Sequence, residues 1–158
     1  MKKKIKLVLL GLLPIFIGLQ FLRPARNIAV APPGPNDFMV KHPPPLPVRQ
    51  ILAVACYDCH SNNTRYPWYA NVQPVGWWMT DHINDAKNAL NFSEFGGYTT
   101  KRMLRKLDTC DDELTDHSMP LLSYRIIHAD ARLTPGQIRL LTDWFDSVHD
   151  QIADAAGK

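Results

Sequence analysis

Cysteine is scarce in this chain of 158 residues: there are three, and glycine numbers only eight. Three thiols cannot build the disulfide framework of a small secreted scaffold. No second C-x-x-C and no H-x(3–5)-H pair follows the first two cysteines, which excludes a zinc finger. No stretch alternates apolar and polar residues over strand length, and no internal repeat is present. A thioredoxin-like dithiol would need a βαβ context that such a pattern does not supply. Basic residues interleaved with aromatics are also missing, so no nucleic-acid partner is expected.

Acidic residues are absent from positions 1–26, which hold Lys2, Lys3, Lys4, Lys6, Arg23 and Arg26. The formal charge of +3 is therefore unevenly spread. Without those six, 12 Lys and Arg face 15 Asp and Glu, leaving about −3 on the remainder. After Lys6 comes Leu7–Leu22, sixteen residues with no charge. A basic start before an apolar run predicts export. The run is long for a signal peptide and short for a span of about 20 residues. Arg23 and Arg26 separate it from the small residues Ala29-Val30-Ala31. Residues 1–26 are thus expected to be an uncleaved signal anchor, with the lysines cytoplasmic and the body outside the inner membrane. No cysteine lies close behind the run to carry a lipid.

Proline, by contrast, is plentiful. Pro32, Pro33, Pro35, Pro43, Pro44, Pro45 and Pro47 make residues 27–47 a predicted stiff linker, with Met39 and His42 solvated in it. From residue 48 to 155 helical spacing dominates. Val48, Ile51, Leu52 and Ala55 predict a short helix. Pro74 is expected to open another, with Val75, Trp78, Met79, His82, Ile83, Ala86 and Leu90 on its inner stripe. A third runs from about Thr99 to Asp116, burying Met103, Leu104, Leu107, Cys110 and Leu114. A short one follows at Leu121–His128. Thr134-Pro135-Gly136-Gln137 is a capping-box start for the last helix, which buries Ile138, Leu141, Trp144, Phe145, Val148 and Ile152. The domain is expected to be all-α.

Within it lies Cys56-Tyr57-Asp58-Cys59-His60, the C-x-x-C-H pattern of covalent haem attachment. Two thiols at that spacing reach the two vinyl groups of one haem, and the following histidine reaches its iron. One covalent haem is the implied cofactor, and His60 the implied proximal ligand. Tyr66, Trp68, Tyr69, Trp77 and Trp78 crowd the next segment, and Tyr66, Trp68, Trp77 and Trp78 are candidates for the wall of a flat apolar pocket. An ordinary aromatic core would read the same way. Two candidates stand for the sixth ligand. Met119 precedes Pro120 in a loop, and His82 sits on an inner helical stripe. Met79 and Met103 read as core filling, and His117, His128 and His149 as surface or capping residues. Arg65, Tyr66 and Arg125 are possible partners for haem propionates. Cys110 is left over and reads as a partly buried, unpaired thiol.

With these residues read, the chain resembles class I c-type cytochromes. More closely it resembles a family of small bacterial haem-binding domain proteins with one N-terminal anchor and one C-x-x-C-H. Gln20-Phe21-Leu22-Arg23-Pro24, Trp77-Trp78, Asp81-His82, Asn91-Phe92-Ser93-Glu94, Met119-Pro120 and Trp144 carry that likeness. The resemblance implies a cytochrome c-like helical domain and Met119 as distal ligand. It also implies a proline carbonyl, from Pro74 or else Pro67, as acceptor for the proximal histidine. The expected function is electron transfer at the periplasmic face of the inner membrane, with a redox protein as partner. The competing expectation is a haem peroxidase or a gas or redox sensor with a displaceable distal ligand. Oligomeric state is not legible.

Overall fold

The computed structural model describes residues 2–157. Its α-helices are α1 (Lys2–Leu19), α2 (Phe38–Lys41), α3 (Leu46–Ala55), α4 (Tyr57–His60), α5 (Val75–Ala89), α6 (Thr100–Thr115), α7 (Leu122–Ile127) and α8 (Pro135–Ala156). Short 3-10 turns occupy Trp68–Asn71, Phe92–Gly97 and Ala129–Ala131. No strand occurs among the described residues, and the domain is all-α as its spacing predicts.

Helix boundaries follow local chemistry. At α8 the Thr134 hydroxyl accepts the Gln137 amide at 3.3 Å, and Gln137 Oε1 accepts the Thr134 amide at 2.9 Å. This reciprocal pair satisfies two amides that a helix start leaves without partners. Thr99 caps α6 by a single bond, its hydroxyl accepting Arg102 N–H. Pro74 sits one residue earlier than expected, as the cap of α5 rather than its first residue. The α6 and α8 faces bearing Met103, Leu107, Leu114, Leu141, Phe145 and Val148 are buried together.

Between them and α3 lies an aromatic centre built on Phe38, which is fully buried. Its ring lies 4.6 Å from Phe95, 5.0 Å from Trp144 and 5.1 Å from Phe92, centroid to centroid. These are the separations at which aromatic pairs attract beyond their area burial. Phe38 comes from the segment expected to be a solvated spacer, and that expectation is corrected here. The stretch around α2 folds back on the domain, whereas residues 28–36 are exposed as a spacer would be. Asp37 caps α2 by accepting Met39 N–H at 3.0 Å, and accepts the Tyr57 hydroxyl at 3.2 Å. Asn36 O accepts Gly96 N–H at 2.8 Å. A Cβ on Gly96 would lie 3.0 Å from Asn36 Cα, so glycine permits that approach. Met39 packs on the core, and His42 is half-buried against Phe38 and Phe95.

Two further expectations change. The inner stripe read for α5 is only partly inward: Ile83 is buried, whereas Val75 and Trp78 are exposed. At the N-terminus, α1 carries four lysines in eighteen residues and buries none of its side chains. Among the described residues no helix is long and apolar enough to cross a membrane, so the expected span is not found as such.

Candidate functional site

Helix α3 delivers the chain to Cys56, whose N–H closes on Leu52 O at 3.0 Å. Cys56 O then accepts both Cys59 N–H (3.2 Å) and His60 N–H (2.9 Å). One tight turn thereby gathers two thiols and an imidazole. The two intervening residues are fixtures rather than fillers. The Tyr57 ring lies parallel to Phe92, with centroids 5.2 Å apart. Asp58 is buried, and its carboxylate accepts Arg65 Nε at 3.1 Å, Arg65 Nη2 at 3.0 Å and the Tyr124 hydroxyl at 2.8 Å. Its carbonyl accepts the Thr64 hydroxyl at 2.7 Å.

His60 Nδ1 lies 3.1 Å from both Ala86 O and Leu90 O, at the C-terminal end of α5. Both neighbours are acceptors, so Nδ1 carries the proton and Nε2 keeps its lone pair. The expected partners, Pro74 or Pro67, are thus replaced by carbonyls at the end of α5, of which Ala86 O also accepts the capping Leu90 N–H at 2.8 Å. Burial holds the imidazole below its ordinary pKa, despite those two carbonyls, and keeps it neutral. Cys56 and Cys59 are unbridged and half-buried. Burial, with Cys59 beside it, lifts the Cys56 thiol to about 12. Burial, with Asp58 beside it, lifts Cys59 to about 11.

A cleft of two lobes opens beside this turn, and both lobes share Ala55, His60, Ala89, Met119 and Pro120. The inner lobe reaches Cys56, Leu90, Phe92, Cys110, Leu114 and Phe145. The outer lobe reaches Cys59, His82, Asp85 and Tyr124. Met119 arrives by a reversal after α6. His117 takes a left-handed φ of 57°, and Met119 N–H donates to Glu113 O at 3.0 Å. His82 lines the outer lobe alone, and its Nδ1 lies 2.9 Å from Trp78 O, one turn back.

The donor set fits haem. A free imidazole Nε2 and a thioether line one apolar cleft, and each lobe has one of the two motif thiols at its wall. Alanine at 55 and 89 leaves room that a larger side chain would fill. The aromatic wall differs in part from the one expected: Trp78, with Tyr69, lines an adjoining hollow that shares Cys59, His82, Leu121 and Tyr124 with the outer lobe. Tyr66, Trp68, Trp77 and Trp78 line neither lobe; Phe92 and Phe145 line the inner one. The Tyr66 hydroxyl accepts Asn27 N–H at 2.8 Å, and Trp77 Nε1 donates to Leu22 O at 2.6 Å. Arg65 is engaged by Asp58, and Arg125 donates to His117 O at 3.4 Å, so neither lines the cleft either. Cys110 lines the inner lobe, and burial, with Cys56 nearby, pushes its thiol well above the ordinary range. No periodicity marks Phe92 as a lining residue; its only signal is the Asn91–Glu94 block, where Asn91 Oδ1 caps the turn through Ser93 N–H.

An all-helical domain that presents an imidazole, a thioether and two thiols to one apolar cleft has the chemistry of a haem protein. The chain belongs to the haem-binding domain family, whose model matches residues 14–147. That match begins inside α1 and takes in the whole of 27–47. No curated protein and no solved structure matches the chain.

Proposed function

We propose that the chain is an electron carrier bearing one covalent haem, held at the outer face of the inner membrane and serving a redox protein there. In this reading Cys56 and Cys59 would bond the haem, and His60 and Met119 would hold its iron. The bound group supplies a one-electron iron couple. The chain sets the conditions for it. The Ala86 and Leu90 carbonyls fix the His60 ring and raise its basicity through Nδ1–H. The Met119 thioether is a soft donor that favours the reduced state, giving a higher potential than a second histidine. Phe92, Leu114 and Phe145 keep water from the inner side of the cleft. The observation that carries the reading is the pairing of an oriented His60 with Met119 across both lobes of one cleft. The apolar run Leu7–Leu22, behind Lys2–Lys6, supplies the membrane attachment and its orientation.

The test is a pair of visible spectra, oxidised and reduced, with an intact mass, on protein exported alongside a haem-attachment system. The expected result is a mass raised by one haem, low-spin spectra in both states and the weak far-red band of methionine ligation in the ferric state. High-spin ferric features with ready carbon monoxide binding would favour the sensor or peroxidase. A bare polypeptide mass would remove covalent haem altogether.

A further inference from the structure

The aromatic segment left over from the cleft lies at the root of α1. Gln20, just past the helix, pairs with Gln73 in both directions. Gln73 N–H donates to Gln20 Oε1 at 2.8 Å, and Gln20 Nε2 donates to Gln73 O at 3.2 Å. Trp77 Nε1 donates to Leu22 O, the last residue of the apolar run, at 2.6 Å. Arg26 bonds Asn71 Oδ1, and its guanidinium lies 5.0 Å from the centroid of the Tyr66 ring. Gln73 is fully buried, so this is a packed joint. Gly76 lets the Trp68–Asn71 turn close against α5, since a Cβ there would come within 2.6 Å of Ala70 O.

The joint leaves no slack between the apolar run and the domain. Around it, Trp68 is 78% exposed, Trp78 47% and Val75 37%, with Val75 and Trp78 one turn apart on α5. The helical part of the run, Leu7–Leu19 in α1, reaches about 20 Å, against about 30 Å for a bilayer's hydrocarbon core. An apolar segment that falls short draws its flanks toward the lipid. Here the flank is a folded domain, and the side chains it presents are tryptophans, whose apolar rings and single N–H suit the headgroup layer.

We propose that the Trp68–Val75–Trp78 edge rests in the headgroup layer of the bilayer that holds Leu7–Leu22. The domain therefore lies flush on the membrane in one fixed orientation. This rests on the membrane attachment proposed above.

The experiment uses the full haem-loaded chain with Cys110→Ser and a spin label on Trp68→Cys. It is bound to vesicles of phosphatidylethanolamine and phosphatidylglycerol. Trp68 is exposed enough to replace without loss of core; Val75→Cys is the second position, and Ser147→Cys on α8 the control. Collision rates are read with oxygen, which concentrates in lipid, and with a water-soluble nickel chelate. The expected result is an oxygen-to-nickel ratio severalfold higher at 68 and 75 than at 147. Equal ratios on chain that still floats with the vesicles would overturn the proposed edge and leave the attachment intact. Failure to float would overturn both.

Discussion

The Tyr124 hydroxyl donates a 2.8 Å hydrogen bond to Asp58 Oδ2, joining α7 to the middle of the C-x-x-C-H turn. It also lies 3.1 Å from Val54 O. Helix α7 begins two residues after Pro120, so this one hydroxyl couples the loop carrying Met119 to the turn carrying His60. Tyr124→Phe keeps the ring, which stacks on His128 at 4.0 Å, and deletes only the donor. Asp58 keeps Arg65, so the expected loss is about 1–2 kcal/mol in denaturant unfolding of the haem-loaded protein. Faster carbon monoxide binding to the reduced protein should accompany it, as the Met119 loop loosens. Unchanged stability and unchanged carbon monoxide kinetics would show that the hydroxyl couples nothing.

Met119 itself is tested by Met119→Ala. Loss of the thioether is expected to lower the reduction potential by on the order of a hundred millivolts, a modest part of the range axial ligation covers. It should also open the reduced iron to carbon monoxide. Potentiometry and a carbon monoxide difference spectrum check both. If neither changes while His82→Ala changes both, the sixth ligand is His82, which lines the outer lobe.

The place of the stretch around α2 is decided by Phe38→Ala. A side chain on a solvated spacer can be removed within about 0.5 kcal/mol. A fully buried phenylalanine among Phe92, Phe95 and Trp144 should cost about 3–5 kcal/mol. The urea midpoint of the haem-loaded protein distinguishes the two.

These particulars mark what the chain's pattern could carry and what it could not. The helices from α3 onward were legible because capping boxes and apolar spacing are local signals; Thr134 and Gln137 announce α8 within four residues. The motif turn and Met119-Pro120 were legible for the same reason, since each is a contiguous string. Phe38 was not, because seven prolines speak only of backbone stiffness and say nothing about where a stiff segment packs. Tryptophan density between Tyr66 and Trp78 was equally ambiguous. A ring suited to a haem wall is equally suited to a membrane interface, and composition does not separate the two. The acceptors of His60 are backbone carbonyls of Ala86 and Leu90, which carry no side-chain signal at all.

Two glycine substitutions should act with opposite sign. Gly76→Ala drives a Cβ to 2.6 Å from a backbone carbonyl at the α1 joint, so a destabilisation of about 1–3 kcal/mol is expected. Gly136→Ala meets nothing within 4 Å near the start of α8, and should add about 0.4–1 kcal/mol by restricting the unfolded chain. Thermal melts of both variants beside the parent read the contrast. A stabilised Gly76→Ala would mean that the joint is looser than its contacts indicate.

His42 gives the fold a dependence on mild acid. Its ring packs on Phe38 and Phe95, and Nε2 is buried without a hydrogen-bond partner. Burial first, and the neighbouring charge of Lys41 second, hold its pKa below the ordinary 6.5. Well above that pH the imidazole is neutral in both states and contributes nothing. As pH falls through about 6.5, the unfolded chain takes up a proton that the folded chain refuses, and stability drops. The drop ends at the lowered folded pKa, below which both states are charged. Asp37, the cap of α2, works in the opposite sense. Burial holds its carboxyl above 3.8 in spite of the Tyr57 hydroxyl, the Met39 and Val40 amides and Arg49, so the folded chain protonates first. Asp37 is common to the parent and to His42→Leu, so its contribution cancels when the two are compared. Denaturant midpoints of the haem-loaded protein between about pH 7.5 and pH 5 should therefore fall for the parent and stay nearly level for His42→Leu, which keeps the apolar contacts and removes the titrating ring. Equal slopes for the two would mean that this imidazole is solvated when folded, and that the packing of the stretch around α2 on Phe95 is incomplete.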